Sequence, residues 1–294
     1  MDLKTGSEMS TDTDTDTMAT EPTPAPTPSG TPRPLAPSRP RWLNPIGVLG
    51  VVGLGFTVWL GLWVTPPDKF QGNLARLLYI HPAIATVALY WVGLVAAGGS
   101  LLYLWPRTRS LFWDRLAASA VEVGAVFSAL TLVTGSLWGR PVWGVWWTWD
   151  ARLTSTALLL LLEIGYLALR RVPADLHVRA KRCAVAALLI AVDIPIVHFS
   201  VDWWNTLHQG GTFLDPGFKI HASASMSWTF LLGFVAFSLV FVWLLGVRYQ
   251  VEVLQDAVGQ EELEISLAER WSEDGGSAGA VAPRVTPAGH GGSP

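Results

Sequence analysis

LWGRPVWGVWWTWDARLT, residues 137–154, decides the fold. It carries Trp138, Trp143, Trp146, Trp147 and Trp149 and closes on Asp150 and Arg152. One apolar run of helical length precedes it and another follows. The tryptophans therefore stand where the chain leaves one membrane span and enters the next. Indole is amphipathic and collects at membrane interfaces, which accounts for one or two such residues. Five in one short connection, broken by Gly139, Pro141 and Gly144, read instead as a flat aromatic platform. Such a platform suits a large, planar, apolar ligand.

The rest of the chain supports a membrane setting. Half of its 294 residues are hydrophobic and only 15% are charged, with a mean hydropathy of +0.36. Several apolar runs reach the roughly 20 residues that a helix needs to cross a bilayer. The fold class is an all-α polytopic membrane protein with six transmembrane helices. Spans are predicted over 46–64, 82–104, 116–137, 154–169, 183–199 and 222–246. The first follows a long polar tail, unlike the early, short apolar core of a cleaved signal, and is read as retained. Residues 1–41, with TDTDTDT and PTPAPTPSGTPRP, hold too little apolar surface to fold and are predicted to be disordered. Residues 42–247 form the six-span domain. Residues 248–294 form a second tail, helical over 249–271 and then rich in Gly, Ala and Pro.

Charge sets the orientation. The connections after the second and fourth spans carry Arg107, Arg109, Arg115, Arg170, Arg171, Arg179, Lys181 and Arg182. The other three, longer in total, carry Lys69, Arg76, Arg140, Arg152 and Lys219. The positive-inside rule then puts both termini in the cytoplasm and the tryptophan loop, 138–152, outside. The only cysteine is Cys183, so the chain has no C-x-x-C-H site for covalent haem; Cys183 itself reads as packing.

Six spans place His81, His198, His208 and His221 on the same side as the tryptophans, and His177 and His290 on the other. His81 opens the second span and His198 closes the fifth. A helix end gives a side chain a fixed direction, and imidazole is a common iron ligand. A single interfacial histidine is more often a hydrogen-bonding residue. Two on one face beside a tryptophan-rich loop describe a planar-cofactor site, and haem matches aromatic walls with two nitrogen ligands. Arg140 and Arg152 border the platform as partners for propionates, with Arg76 a weaker candidate.

WGRPVWGVWWTWDARLTS resembles the tryptophan-rich "WWD" signature of membrane haem-handling proteins. Within that group QGNLARLLYIHPA, LVTGSLWGRP and PIVHFSVDWWNTLHQG resemble one family, haem-handling protein C (haem exporter protein C) of the bacterial cytochrome c maturation system. The likeness covers about residues 45–245 and neither tail. It implies axial haem ligands at His81 and His198. It also implies non-covalent binding of haem b by the signature loop on the outer face of the inner membrane. The residues concerned are Trp138, Arg140, Trp143, Trp146, Trp147, Trp149, Asp150 and Arg152. The implied partners are a membrane-anchored periplasmic haem chaperone, an ATPase, its membrane subunit and a small single-span subunit. No nucleic-acid partner and no enzymatic activity are expected. One departure is that Pro82 directly follows His81, which alters how the helix begins but not the imidazole.

Two other functions stay open. A lyase-like enzyme would join haem to apocytochrome, but relatives of that kind tend to have more spans. A transporter subunit would move haem across the bilayer, and with no G-x-x-x-x-G-K-S/T loop here it would draw ATP-driven work from a partner. Glu122, Glu163 and Asp193 lie inside spans, where a carboxylate marks either function or interhelical bonding. Asn205 and His208 either contact ligand or order their loop. Trp203 and Trp204 fit a second pocket wall or an interfacial belt. The acidic stretch 249–271 fits a partner-binding helix or a solvated one.

Overall fold

The computed structural model describes residues 40–68, 71–208 and 224–274, with side chains through Trp271. His221, most of the N-terminal tail and the last twenty residues lie outside that set. Among the described residues the protein is helical, with no strand and only an isolated Asp68–Gly72 bridge. Six helical stretches are long and apolar enough to cross a membrane.

The first span is α1, Leu43–Trp59, extended by a π-helical turn, Leu60–Val64. The second is built in pieces. A 3-10 turn, Asn73–Tyr79, leads into α2, His81–Thr86; a π-helical turn, Val87–Trp91, joins that to α3, Val92–Leu104. The remaining spans are α4, Leu111–Trp143; α5, Ala151–Arg170; α6, Leu176–Trp203; and α7, Ala224–Asp274.

Small residues let these helices touch. Gly47, Gly50 and Gly53 of α1 lie against Trp243, Val240 and Ala236 of α7. Close approach of this kind drives association in lipid, where there is no hydrophobic effect between helices. The core between α3, α4, α5 and α6 joins Ala96, Ala118, Val121, Leu159, Ala187 and Ile190. A second cluster joins Ile84, Val87, Phe127 and Phe241. Val48, Val51 and Val52 of α1, Leu161 and Ile164 of α5 and Leu189 and Val192 of α6 are exposed, as lipid-facing positions should be.

Several helices overrun the apolar segments. Ser110 caps α4, its Oγ accepting from the Phe112 N–H, and Asp175 caps α6 by accepting from the amides of His177 and Val178. Both helices therefore begin before their membrane segments. The stretch expected as one loop, 138–152, is divided. Trp138, Arg140 and Trp143 continue α4; Gly144–Trp149 is open; Asp150 caps α5. Gly144 ends α4 in the left-handed region at φ 82, its N–H donating to the Arg140 carbonyl at 3.0 Å.

The helix of the sixth span does not stop near residue 247. α7 has 51 residues, about 75 Å at 1.5 Å per residue, so its C-terminal half must leave the membrane. That half is not simply a solvated helix. Glu252 and Asp256 are buried. Arg170 bonds Asp114 at 3.0 Å and Glu252 at 2.8 Å, and Asp256 accepts from both Arg115 and Arg179. Glu122 pairs with Arg248, which gives it an interhelical role. Glu163 and Asp193 are buried with both carboxyl oxygens unpaired among the described residues.

Candidate haem site

At the end of the bundle opposite this ion-pair cluster, α2, α4, α5 and α6 enclose a cavity of about 320 Å3. His81, Trp138, Trp143, Trp147, Arg152 and His198 all line it. These residues come from three separate stretches of chain, around His81, over 138–152 and at His198. Thr131, Thr156 and Leu159 extend the lining toward the membrane interior. One arginine and three histidines, counting His208, line the cavity with no acidic side chain among the described residues. The lining therefore favours an anionic group on an otherwise apolar ligand.

His81 is the first residue of α2. Pro82 sits in the opening turn, where a missing N–H costs little because those amides have no helical partner. The departure noted in the sequence is accommodated there. The ring meets Trp138 edge-on at 5.9 Å, and its Nδ1 lies 2.9 Å from Thr134 Oγ1. Its Cε1 corner lies against α4 at Gly135, where a Cβ would come within 3.1 Å of His81 Cε1.

His198 is buried in the last turns of α6. Its Nδ1 lies 2.5 Å from the Tyr90 hydroxyl, and Phe199 packs edge-on at 4.6 Å. Arg152, in the first turn of α5, donates to the His198 carbonyl at 2.7 Å and faces Ser200 Oγ at 3.4 Å. That side chain ties α5 to α6 beside the ligand position. Both Nε2 atoms are without a hydrogen-bond partner among the described residues.

The tryptophans divide into two sets. Trp138 Nε1 donates to Gln71 at 2.9 Å. Trp143 faces His208 at 6.2 Å. Trp147 is half-buried, with its Nε1 unpaired among the described residues. These three form the wall. Trp146 and Trp149 are exposed, Trp149 at 83%, and neither lines the cavity. Arg140 bonds the Gly144 carbonyl, its guanidinium 6.0 Å from the Trp146 ring centre. Asp150 accepts from the Leu153 amide at 2.8 Å as the cap of α5. Arg76 is absent from the lining, and the exposed Trp203 and Trp204 add no second wall.

Reading the sequence for chemistry missed Tyr90, Thr134 and Gly135. Thr134 and Gly135 sit inside LVTGSLWGRP, so the motif held them without a stated role. Tyr90 belongs to the π-helical turn of the second span. Such turns rotate the face a helix presents and recur at functional sites, but no pattern in residues 87–91 announces one.

These features define a polytopic helical protein with a two-histidine, indole-walled cavity at one end of its bundle. The sequence matches the Heme exporter protein C family over residues 29–264. It is 37% identical over 216 residues to a Heme exporter protein C of Haemophilus influenzae, covering 73% of this chain and 86% of that one. The corresponding figures are 39% over 218 residues for the Bradyrhizobium diazoefficiens protein of the same name, covering 71% and 77%. They are 35% over 197 residues for that of Escherichia coli K12, covering 67% and 78%. The chain belongs to the Heme exporter protein C family, the haem-handling membrane components of cytochrome c maturation, and is a multi-pass inner-membrane protein.

Proposed function

We propose that the cavity holds haem b non-covalently at the outer face of the inner membrane and presents it to a periplasmic haem chaperone. The observation that carries this is the convergence of two imidazoles on one cavity. His81 and His198 come from different spans, each has Nδ1 engaged by a hydroxyl, and among the described residues neither Nε2 has a hydrogen-bond partner. Metal-binding histidines are characteristically oriented through the ring nitrogen that does not bind the metal. Trp138, Trp143 and Trp147 supply apolar walls, and Arg152 supplies positive charge for a propionate.

The cavity is at the small end of ligand-pocket sizes, so part of the porphyrin stays outside it. Arg140, Trp146 and Trp149, on the exposed strip beside the wall, then meet that outer edge. Asp150 acts through the start of α5, which carries Arg152. The chain contributes orientation and electrostatics, while the reactivity belongs to haem. No catalytic step is assigned to its residues. On this reading both termini lie in the cytoplasm, and an ATPase, its membrane subunit and a small single-span subunit complete the complex.

The test is the absorption spectrum of the purified protein. His81→Ala and His198→Ala should each lose or alter the haem band. A band unchanged in both variants removes the assignment.

A further inference from the structure

Resting on the haem-handling reading, we infer that the two histidines are unequal ligands, with Thr134 presetting His81 for iron and Tyr90 holding His198 back. The inequality follows from counting protons. A threonine hydroxyl has one proton to donate. Thr134 Oγ1 gives it to the Leu130 carbonyl at 2.7 Å, the usual bond from a helical threonine to the preceding turn. Toward His81 Nδ1, at 2.9 Å, the same oxygen can only accept. The neutral ring therefore carries its hydrogen on Nδ1, and the Nε2 lone pair is free for iron before any haem arrives.

At His198 the direction reverses. The Tyr90 hydroxyl has no other hydrogen-bond partner among the described residues. A phenol is a stronger donor than a neutral imidazole N–H, and an imidazole nitrogen is a better acceptor than a phenol oxygen. The Tyr90 O–H therefore donates to Nδ1, across 2.5 Å, and the ring hydrogen sits on Nε2, the atom that iron needs. Ligation by His198 requires a tautomeric shift. The Nε2–H bond breaks and an Nδ1–H bond forms by exchange with solvent, with no net proton gained or lost. The phenol keeps its proton, turns it away from the ring and accepts from Nδ1 instead.

A protein that must both hold haem and release it gains from this asymmetry. His81 needs no rearrangement and is the retained ligand. The affinity of His198 is reduced by the fraction of rings in the wrong tautomer, so His198 lets go first. When it does, Tyr90 recaptures the free Nδ1 and opposes rebinding. Thr134 and Tyr90 are thus positioning residues with opposite effects, although each makes one hydrogen bond to one imidazole.

The full-length protein in detergent, loaded with hemin, tests this through the rate of haem loss to excess apomyoglobin and through the iron spin state. Changes to groups that orient metal ligands typically alter affinity by about 10–100-fold. Tyr90→Phe should slow haem loss roughly 10-fold and favour six-coordinate, low-spin iron. Thr134→Val should speed loss by a similar factor, and Thr134→Ser should restore it. Tyr90→Phe speeding loss as Thr134→Val does would overturn the proposal, because Tyr90 would then support ligation. Nitrogen-15 NMR of the histidine-labelled, haem-free wild type reads the tautomers without any variant on the pathway, with assignments from His81→Ala and His198→Ala. It should report Nδ1–H at His81 and Nε2–H at His198, and the same tautomer at both would equally overturn the inference. If the histidine variants themselves leave the haem spectrum unchanged, the haem reading fails, a result distinct from either of these.

Discussion

Adding one methyl group at Gly135 separates binding from folding. Gly135 lies inside α4, so alanine there should favour the helix by up to about 1 kcal/mol. The new Cβ would stand 3.1 Å from His81 Cε1 and 3.8 Å from both ring nitrogens. Carbon atoms pack at about 3.5–4.0 Å, so the ring must retreat by roughly half an ångström. A retreat of that size stretches the 2.9 Å contact with Thr134 Oγ1 toward the limit of a useful hydrogen bond. It also reaches the roughly 0.5 Å tolerance of an organised ligand site. Gly135→Ala should therefore melt no lower than wild type yet bind hemin about 10-fold more weakly, the lower end of such orientation effects. Hemin titration and thermal unfolding on the same preparation give both numbers. A folded Gly135→Ala with wild-type affinity would refute the reasoning, since His81 would not then depend on its seat against α4.

Three further outcomes follow from the geometry. Arg170→Ala leaves Asp114 and Glu252 buried beside a missing cation, and breaking a buried pair in this way costs about 3–5 kcal/mol; thermal unfolding should show a large loss, partly recovered when Asp114→Asn and Glu252→Gln are added. Asp150→Ala removes the cap of α5 at a cost of about 1 kcal/mol, whereas Asp150→Asn, still an acceptor for the Leu153 amide, should keep both stability and haem; haem loss in the asparagine variant would show that the charge itself is needed. Cysteine at the exposed Trp149 position, in a Cys183→Ser background, should react with a membrane-impermeant reagent from the periplasmic side, while reporters at both termini read cytoplasmic; labelling from the cytoplasm only would reverse the orientation.

Hydropathy located all six spans because lipid-facing side chains such as Val51, Leu161 and Val192 must be apolar whatever the interior holds. Span ends were less legible. The caps Ser110 and Asp175 lie outside the apolar runs, and Gly139 and Pro141 suggested a loop where α4 continues to Trp143. The long α7 was legible only in halves, because Glu252 and Asp256 look solvated until Arg170, Arg115 and Arg179 arrive from other helices. At the site, six of the ten nominated residues meet in one cavity. Residue type suggested His81 and His198 as metal-binding candidates and the tryptophans as a platform, and family likeness added the axial role of the two histidines. Neither distinguished Trp147, turned inward, from Trp146 and Trp149, turned outward. That depends on the path of Gly144–Trp149, where no helical period operates. Tyr90 was hidden for a related reason, since a π-helical turn breaks the 3.6-residue period from which a face is inferred.

The two ends of the bundle are held by different physics, and the difference suits a protein that takes in a large ligand. At one end buried charges fasten α4, α5 and α7 through Arg170, and Arg115 and Arg179 fasten Asp256. Separating these helices would strand charge out of water, so that end should open only with global unfolding. At the other end the ties among the described residues include hydrogen bonds rather than ion pairs: Trp138 to Gln71, Arg152 to the His198 carbonyl and Ser200, and the two hydroxyl contacts to the imidazoles. Each is worth about 1 kcal/mol net, somewhat more where the donor is charged. Stability should therefore fall along the helices from the ion-pair end to the cavity, as it does within proteins whose binding elements are their least stable parts. A rigid cavity of about 320 Å3 would be a poor receiver for a porphyrin. One whose walls separate at modest cost, while the far ends of α4, α5 and α7 stay clamped, can admit haem and release it without loss of the fold.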